Sequence, residues 1–505
     1  MLGCGPCDAG STPAFRPGEV LMELKQLKGT KEYLPEEQTI REKIIDILKK
    51  NFKLYGYKPI ETSILEYYGV AANKYAGGDE ILKETYKLTD QGGRELCLRY
   101  ELTFKLAKFI GLNQNIRMPF KRYEIGKVFR DGPIKTGRLR EFTQCDVDVV
   151  GIKSVAADAE FMLLVFDVFN ELNLPVFVQV NDRGFLFGLF EFCGVDPKQY
   201  IDVALSLDKL EKFGENYVKK ELLEKGIAEE STDKLFSLLK TANTKQTNEE
   251  KLDFFKENLE LKDNFKENLI KENLKSKDNF KENLELKDNF KENLKSTKNN
   301  SSYELNQQAQ KGIENLQNFF KYCADFGINK DVIFAPSLAR GLGYYTGFMC
   351  EVYLKNSEIK SSVSAGGRWD KMIGNFLGRN IKYPATGITF GLDIIYEALK
   401  EKNFAQMEAK PNPCNVLIIP ITTEAEQRCL QTATFLRNKK IGCEISLEKS
   451  LRSALDYANK EQIPWVIIVG IKELKENKYS LKNMSSGEEK YTSIENVIKS
   501  LKFVN

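Results

Sequence analysis

Two runs decide the fold: Phe120-Lys-Arg-Tyr-Glu-Ile-Gly-Lys-Val-Phe129 and Arg140-Glu-Phe-Thr-Gln-Cys-Asp-Val-Asp-Val-Val150. Between them lies the polar stretch Arg130-Asp-Gly-Pro-Ile-Lys-Thr-Gly-Arg138-Leu139. Aromatic and β-branched residues punctuate both runs, and the joining stretch holds Gly and Pro. The spacing therefore predicts two strands of an antiparallel hairpin. Alternate residues of a strand share a face. Phe142, Gln144, Asp146 and Asp148 fall on one side, Val147 and Val149 on the other. Such a strand places a polar pocket above an apolar core, although the solvated face of an ordinary antiparallel sheet has the same spacing.

Working outward, Ile40, Ile44, Ile45, Leu48, Phe52 and Leu54 recur at near-helical intervals, so Glu37 to Tyr55 reads as an amphipathic helix entered at Pro35. Ile60 to Leu65 reads as extended, Thr103 to Ile110 as a helix, Ala156 to Leu172 as a helix and Val176 to Val180 as a strand. Asp331 to Leu399 reads as strands broken by glycine-rich turns and closed by a helix. Lys410-Pro-Asn-Pro413 reads as a linker. Beyond it the rhythm changes. Strands are expected at Val416–Pro420, Cys443–Ser446 and Trp465–Gly470, and helices at Thr423–Arg437, Leu451–Asn459 and Ser493–Phe503. That alternation predicts a small α/β domain with a mixed sheet.

Composition narrows the chemistry. The chain has 505 residues, 75 Lys+Arg against 72 Asp+Glu, and no histidine, where about ten would be ordinary. A Ser-His-Asp triad, a His-activated cysteine and a His-bearing zinc site are thereby excluded. No apolar run is long enough to span a membrane. Ten scattered cysteines suit a reducing cytosol. Cys4-Gly-Pro-Cys7 has the thioredoxin spacing but lacks a preceding strand and a following helix, so residues 1–22 read as a flexible arm. From about Glu249 to Asn300 the chain is nearly all Lys, Glu, Asp, Asn, Leu and Phe. Four Asp-x-Phe-Lys-Glu-Asn-Leu units start at Asp253, Asp263, Asp278 and Asp288. They are too short to stack as a solenoid and read as a charged insertion, partly helical or disordered.

Three clusters carry chemistry. The first joins Arg99-Tyr-Glu101-Leu-Thr103 to the hairpin from Phe129 to Asp148. The second is Leu338-Ala-Arg340-Gly341-Leu-Gly343-Tyr344-Tyr345-Thr-Gly347, in which glycines permit close approach and an arginine offers a planar fork to an anion. A glycine-rich turn with core tyrosines has the same appearance. The third, Ser364-Ala-Gly366-Gly367-Arg368-Trp369-Asp370, reads by itself as an ordinary turn.

In this combination and order the residues resemble the histidyl-tRNA synthetases, a family of class II aminoacyl-tRNA synthetases. The resemblance runs from about Lys28 to the C-terminus, outside the repeat. Lys28 to Pro35 resembles the family's opening segment, Pro59-Ile-Glu-Thr62 class II motif 1, and Phe129 to Phe142 motif 2. Arg340 to Gly347 and Ser364 to Asp370 resemble the two histidine-specific motifs. The implied fold is α+β: an antiparallel-sheet catalytic domain at 23–190 and 326–408, interrupted by an insertion region at 191–325 that holds the repeat at 249–300. An α/β anticodon-binding domain follows at 414–505.

The resemblance also implies roles. Arg130 and Arg340 would be catalytic, and Arg130, Arg138, Glu141 and Phe142 would bind ATP. Histidine would be held by Glu101, Thr103, Gln144, Asp148, Arg340, Tyr344 and Tyr345. ATP and Mg²⁺ are implied, the metal held mainly by ATP. The other implied features are L-histidine and tRNA(His) as substrates, a homodimer, no membrane and a cytoplasmic location. Two departures stand out. Gly343 replaces the acid usual before the tyrosine pair, and Asp393-Ile394 replaces the Glu-Arg of motif 3, whose arginine meets the ATP γ-phosphate. A non-aminoacylating paralogue that senses histidine or tRNA is the alternative. From Asn415 on there are 14 Lys/Arg against 11 Asp/Glu, an excess suited to tRNA held by a local patch.

Overall fold

The computed structural model describes residues 24–74, 82–134, 137, 139–259, 300–341, 343–402, 414–447 and 450–502. The N-terminal arm with Cys4 and Cys7, Arg138, the repeat units from Asp263 onward and the 410–413 linker lie outside the described residues.

The strands are β1 (Lys58–Pro59), β2 (Leu65–Tyr67), β3 (Lys87–Thr89), β4 (Glu95–Leu98), β5 (Phe120–Phe129), β6 (Glu141–Val150), β7 (Val176–Asp182), β8 (Val332–Phe334), β9 (Phe348–Leu354), β10 (Ser364–Arg368) and β11 (Ala385–Gly391). Eight of them form one sheet in the order β1-β5-β6-β11-β10-β9-β7-β8. Its interior pairs are antiparallel, and only β1–β5 and β7–β8 at the edges are parallel. The expected hairpin is β5–β6, with Phe120 opposite Val150 and Phe129 opposite Glu141.

The alternation of β6 places the two sides of the sheet as expected. Cys145, Val147 and Val149 enter an apolar cluster with Ile44, Leu48 and Phe52 of helix Pro35–Leu54 and Phe161, Val165 and Val168 of helix Ala156–Glu171. Burying these aliphatic and aromatic side chains contributes roughly 1.5–3 kcal/mol each, which fixes the register and so turns Gln144, Asp146 and Asp148 to the other side.

A group of helices follows β7: Arg183–Phe192, Tyr200–Leu207, Leu210–Phe213, Glu215–Glu224, Glu229–Asn243 and Asn248–Leu259. Helix Asn300–Asp325 then returns the chain to β8. The charged insertion was expected to start at Glu249, but its first unit is part of the core. Leu252, Phe255 and Leu259 are buried, and the Phe255 ring lies 4.8 Å from Phe185 and 6.1 Å from Phe334. Leu252 completes a helical stripe with Phe255 and Leu259 that the repeat unit alone does not show.

A second correction concerns Ser364 to Arg368, expected as a turn and found as the central strand β10 between β9 and β11. A Cβ on Gly366 would lie 2.3 Å from the Gly387 carbonyl oxygen. Glycine here serves close strand approach rather than chain reversal.

The C-terminal unit has β12 (Val416–Pro420), β13 (Cys443–Ile445), β14 (Trp465–Val469), β15 (Tyr479–Asn483) and β16 (Glu489–Thr492), ordered β13-β12-β14-β15-β16. The first three strands are parallel and match the expected α/β rhythm. The antiparallel β15–β16 hairpin and the short helix Ile471–Glu476 were not anticipated. Ser480, Lys482, Lys490 and Thr492 give that hairpin little apolar signal.

Candidate active site

A cavity of about 300 Å³ opens on the polar side of the sheet, within the usual range for small-molecule sites. Its lining brings together Glu101, Thr103, Arg130, Gln144, Asp148, Arg340, Tyr344 and Tyr345. These come from four separate places: the entry to helix Thr103–Leu112, the end of β5, strand β6, and the loop between β8 and β9. Glu141 and Phe142 do not line it. They sit farther along β6, where Glu141 pairs with Lys127.

Arg130 is fixed by stacking. Its guanidinium carbon lies 4.3 Å from the Tyr100 ring centroid and 5.1 Å from that of Phe142, and its Nε donates to the Tyr100 carbonyl oxygen at 3.2 Å. The charge is thus held beside Glu101, whose carboxyl burial pushes up to about 7, with Arg130 opposing and Asp146 adding to the rise.

The floor is a buried charge cluster. Arg122 on β5 is fully buried and lies opposite Asp148. Its Nη2 is 2.8 Å from Asp148 Oδ2 and 3.9 Å from Asp146 Oδ2, and its Nη1 is 3.7 Å from Glu124 Oε2. Glu124 is also held by Arg99 Nη1 at 3.1 Å, whereas Asp146 and Asp148 share the one Arg122 guanidinium, so burial outweighs pairing at the two aspartates. Both Asp146 and Asp148 are raised above the ordinary carboxylate range, chiefly by desolvation, with Arg122 pulling back. Gln144 Oε1 and Asp146 Oδ1 are buried without a hydrogen-bond partner. Buried acceptors left open at a cavity are costly unless a donor arrives.

Gly387 gives Asp148 its room. The two residues are cross-strand partners, and a Cβ on Gly387 would lie 1.8 Å from Asp148 Oδ1.

The Arg340 loop is tied down from β7. Asn181 Nδ2 donates to the carbonyl oxygens of Pro336 at 3.2 Å and Leu338 at 2.8 Å, and Arg183 Nη1 donates to that of Tyr345. Gly341 turns with φ +66°, and a Cβ there would be 2.2 Å from the Tyr345 ring. The rings of Tyr344 and Tyr345 are 4.4 Å apart. Arg340 itself bonds Asp208 Oδ1 through Nε at 2.8 Å and pairs with Glu351 Oε1 through Nη1 at 2.7 Å.

Glu351 and Thr389, which the sequence reading did not single out, also line the cavity, as do Asp146 of the polar β6 face and Trp369 of the third cluster, to which it gave no role. Asp146 was legible, because it lies between Gln144 and Asp148 on the same strand face. Glu351 and Thr389 reach the cavity only through long-range strand order. At the motif 3 position, Asp393 is a strut. Its carboxylate accepts from Tyr33 Oη and the Thr143 amide, each at 2.7 Å, and from Arg41 Nη1 at 2.8 Å. Ile394 is buried, within about a methyl's reach of Gly137 in the hairpin loop.

Comparison with known proteins adds the following. A family model described as histidyl-tRNA synthetase matches residues 29–271 and 235–395, and one described as an anticodon binding domain matches 415–503. Histidine–tRNA ligase 1 of Bacillus cereus is 44% identical over 475 residues, 93% of this chain and 97% of that protein. Histidine–tRNA ligase of Danio rerio is 30% identical over 498 residues, 94% of this chain and 87% of that protein. Among solved structures, histidyl-tRNA synthetase from Nostoc sp. PCC 7120 superposes with a TM-score of 0.72 at 26% identity, covering 95% of this chain and 99% of that one.

Proposed function

The chain belongs to the histidyl-tRNA synthetase family, and from that premise we infer how its cavity divides the work of the reaction. It is an ATP-dependent ligase that activates L-histidine and transfers it to tRNA. The non-aminoacylating alternative finds no support, since relatives matched over almost the whole chain are ligases by name.

The histidine carboxylate attacks the α-phosphorus of ATP and pyrophosphate leaves, so the substrate supplies its own nucleophile and no enzymic one is required. The protein's task is alignment and charge neutralisation. We assign α-phosphate contact to Arg130 and Arg340. Arg130 is already desolvated on one side by Tyr100 and Phe142, and the outer part of the Phe142 ring is assigned to adenine. Glu101 and Thr103 receive the histidine ammonium. Gln144 and Asp148, with Asp146 beside them, read the imidazole nitrogens, and Tyr344 and Tyr345 wall the side chain. The observation that carries this reading is the pair of open acceptors, Gln144 Oε1 and Asp146 Oδ1, which suit a ligand rich in N–H donors.

Glu141 and Arg138 stay assigned to ATP, Arg138 to its phosphates. Mg²⁺, a hard cation that prefers phosphate oxygens and water, is taken to enter on ATP and to offset phosphate charge there. With Ile394 at the motif 3 position, the γ-phosphate is assigned to Arg138. Residues 415–502 are assigned to tRNA(His). A homodimer through the Pro59–Thr62 region is supported by exposed Leu54, Ile64, Leu65 and Tyr67 nearby. Among the described residues no helix is long and apolar enough to cross a membrane, and the proposed site of action is the cytoplasm.

The test is ATP–pyrophosphate exchange with histidine against other amino acids. Exchange with histidine alone is expected, and Arg340→Ala is expected to lower it by about 100-fold with little change in histidine affinity. Absence of exchange at saturating ATP and Mg²⁺ would overturn the assignment.

A further inference from the structure

Arg340 lies on a loop, and its side chain is 51% exposed. A long side chain in that setting samples many rotamers and aims poorly. Here two carboxylates take separate edges of its fork. Glu351 on β9 is buried, held by the Tyr353 hydroxyl and by Ser362 Oγ at 3.4 Å, and it pairs with Nη1 at 2.7 Å. Asp208 takes Nε at 2.8 Å from the end of helix Tyr200–Leu207. With Glu351 alone the guanidinium can pivot about one nitrogen, whereas the second contact fixes its plane. Nη2 is then left with no protein partner among the described residues, on a side chain that lines the cavity.

The two carboxylates belong to different parts of the chain. Glu351 is in the sheet, and Asp208 is on the helices inserted between β7 and β8. Asp208 has a fixed backbone, with its amide bonded to the Ala204 carbonyl at 3.0 Å. The neighbouring Lys209 is locked to Glu221 at 2.7 and 2.8 Å. Three residues on, Glu211 accepts from Gln179 Nε2 of β7 at 3.0 Å, seating the same helices against the sheet.

We propose that Asp208 is a positioning residue for the activation step: it aims Arg340 at the phosphate and makes the seating of the inserted helices a condition of adenylate formation. This rests on the phosphate role assigned to Arg340 above. A pair this exposed contributes little to stability, so a purely structural role predicts no kinetic effect.

The experiment is exchange kinetics on the full chain for Asp208→Asn, Asp208→Glu, Arg340→Ala and the Asp208→Asn/Arg340→Ala double variant, with thermal melts alongside. Asp208→Asn is expected to lower the exchange kcat about tenfold, with histidine KM within about twofold and an unchanged melt. Asp208→Glu should recover most of the rate. In the Arg340→Ala background Asp208→Asn should cost nothing further, the non-additivity of groups acting as a unit. A wild-type rate in Asp208→Asn, or its full loss persisting without Arg340, overturns the positioning role. A wild-type rate in Arg340→Ala instead overturns the phosphate role of Arg340 itself.

Discussion

At the scale of single residues, Glu101 shows what the site costs the fold. Its folded pKa of about 7 lies above the ordinary value because burial disfavours the charged form. The folded state therefore binds that proton more tightly than the unfolded chain. The contribution to stability is complete below the ordinary carboxylate pKa and is lost as pH rises through about 7. Glu101→Gln removes the titration. We expect its melting temperature to match the parent near pH 5 and to exceed it near pH 8, with a gain on the order of 2–3 kcal/mol. Equal melts at both pH values would refute this reading. The same variant should lose histidine affinity, because an amide cannot answer the ammonium charge. In the parent, histidine KM should fall from pH 6 to 8 as Glu101 ionises. Free histidine titrates in the same window, so the Glu101→Gln profile is the reference that isolates the protein's share.

At the scale of elements, the β5–β6 hairpin was legible because its signal is local. Alternation over ten residues and a Gly/Pro-bearing loop suffice to set the register, and register sets the face. Strand β10 was not legible, because its glycines answer to residues far away: Gly366 to the Gly387 carbonyl, Gly367 to that of Phe348. The link between Arg340 and Asp208 spans 132 positions and leaves no local trace. The same logic gives a prediction on β11. Gly387→Ala places a methyl where Asp148 Oδ1 now lies, and Asp148 must swing away from Arg122 and from the proposed imidazole pocket. Histidine KM should rise about tenfold or more while ATP KM holds, with a stability loss of about 1–3 kcal/mol. Calorimetric titration with histidine decides it, and an unchanged affinity would remove Asp148 from the histidine site.

At the scale of the whole molecule, the absence of histidine changes meaning once the site is built. By itself it only excludes triads and His-ligated metals. The proposed assignment accounts for how the reaction tolerates it: phosphate charge would be met by arginines, the nucleophile arrives with the substrate, and the imidazole would be read by carboxylates and an amide. An enzyme that supplies His-tRNA(His) and contains no histidine is translated without consuming its own product. When charged tRNA(His) runs short, ribosomes on this message have no codon at which to stall, so the supply of the ligase does not collapse along with that of its product. The expectation is testable by placing histidines where they leave fold and site alone. Lys220 has a side chain 80% exposed in a weak intrahelical pair, and Lys240 is exposed in the last turn of helix Glu229–Asn243, so Lys220→His and Lys240→His should be close to neutral for stability. Under histidine starvation, pulse-labelled synthesis of the parent should hold at the rate of another histidine-free reporter. Synthesis of the two-histidine chain should fall with the remaining charged tRNA(His). If the two chains decline in parallel, freedom from histidine has no protective effect and reflects drift in codon supply.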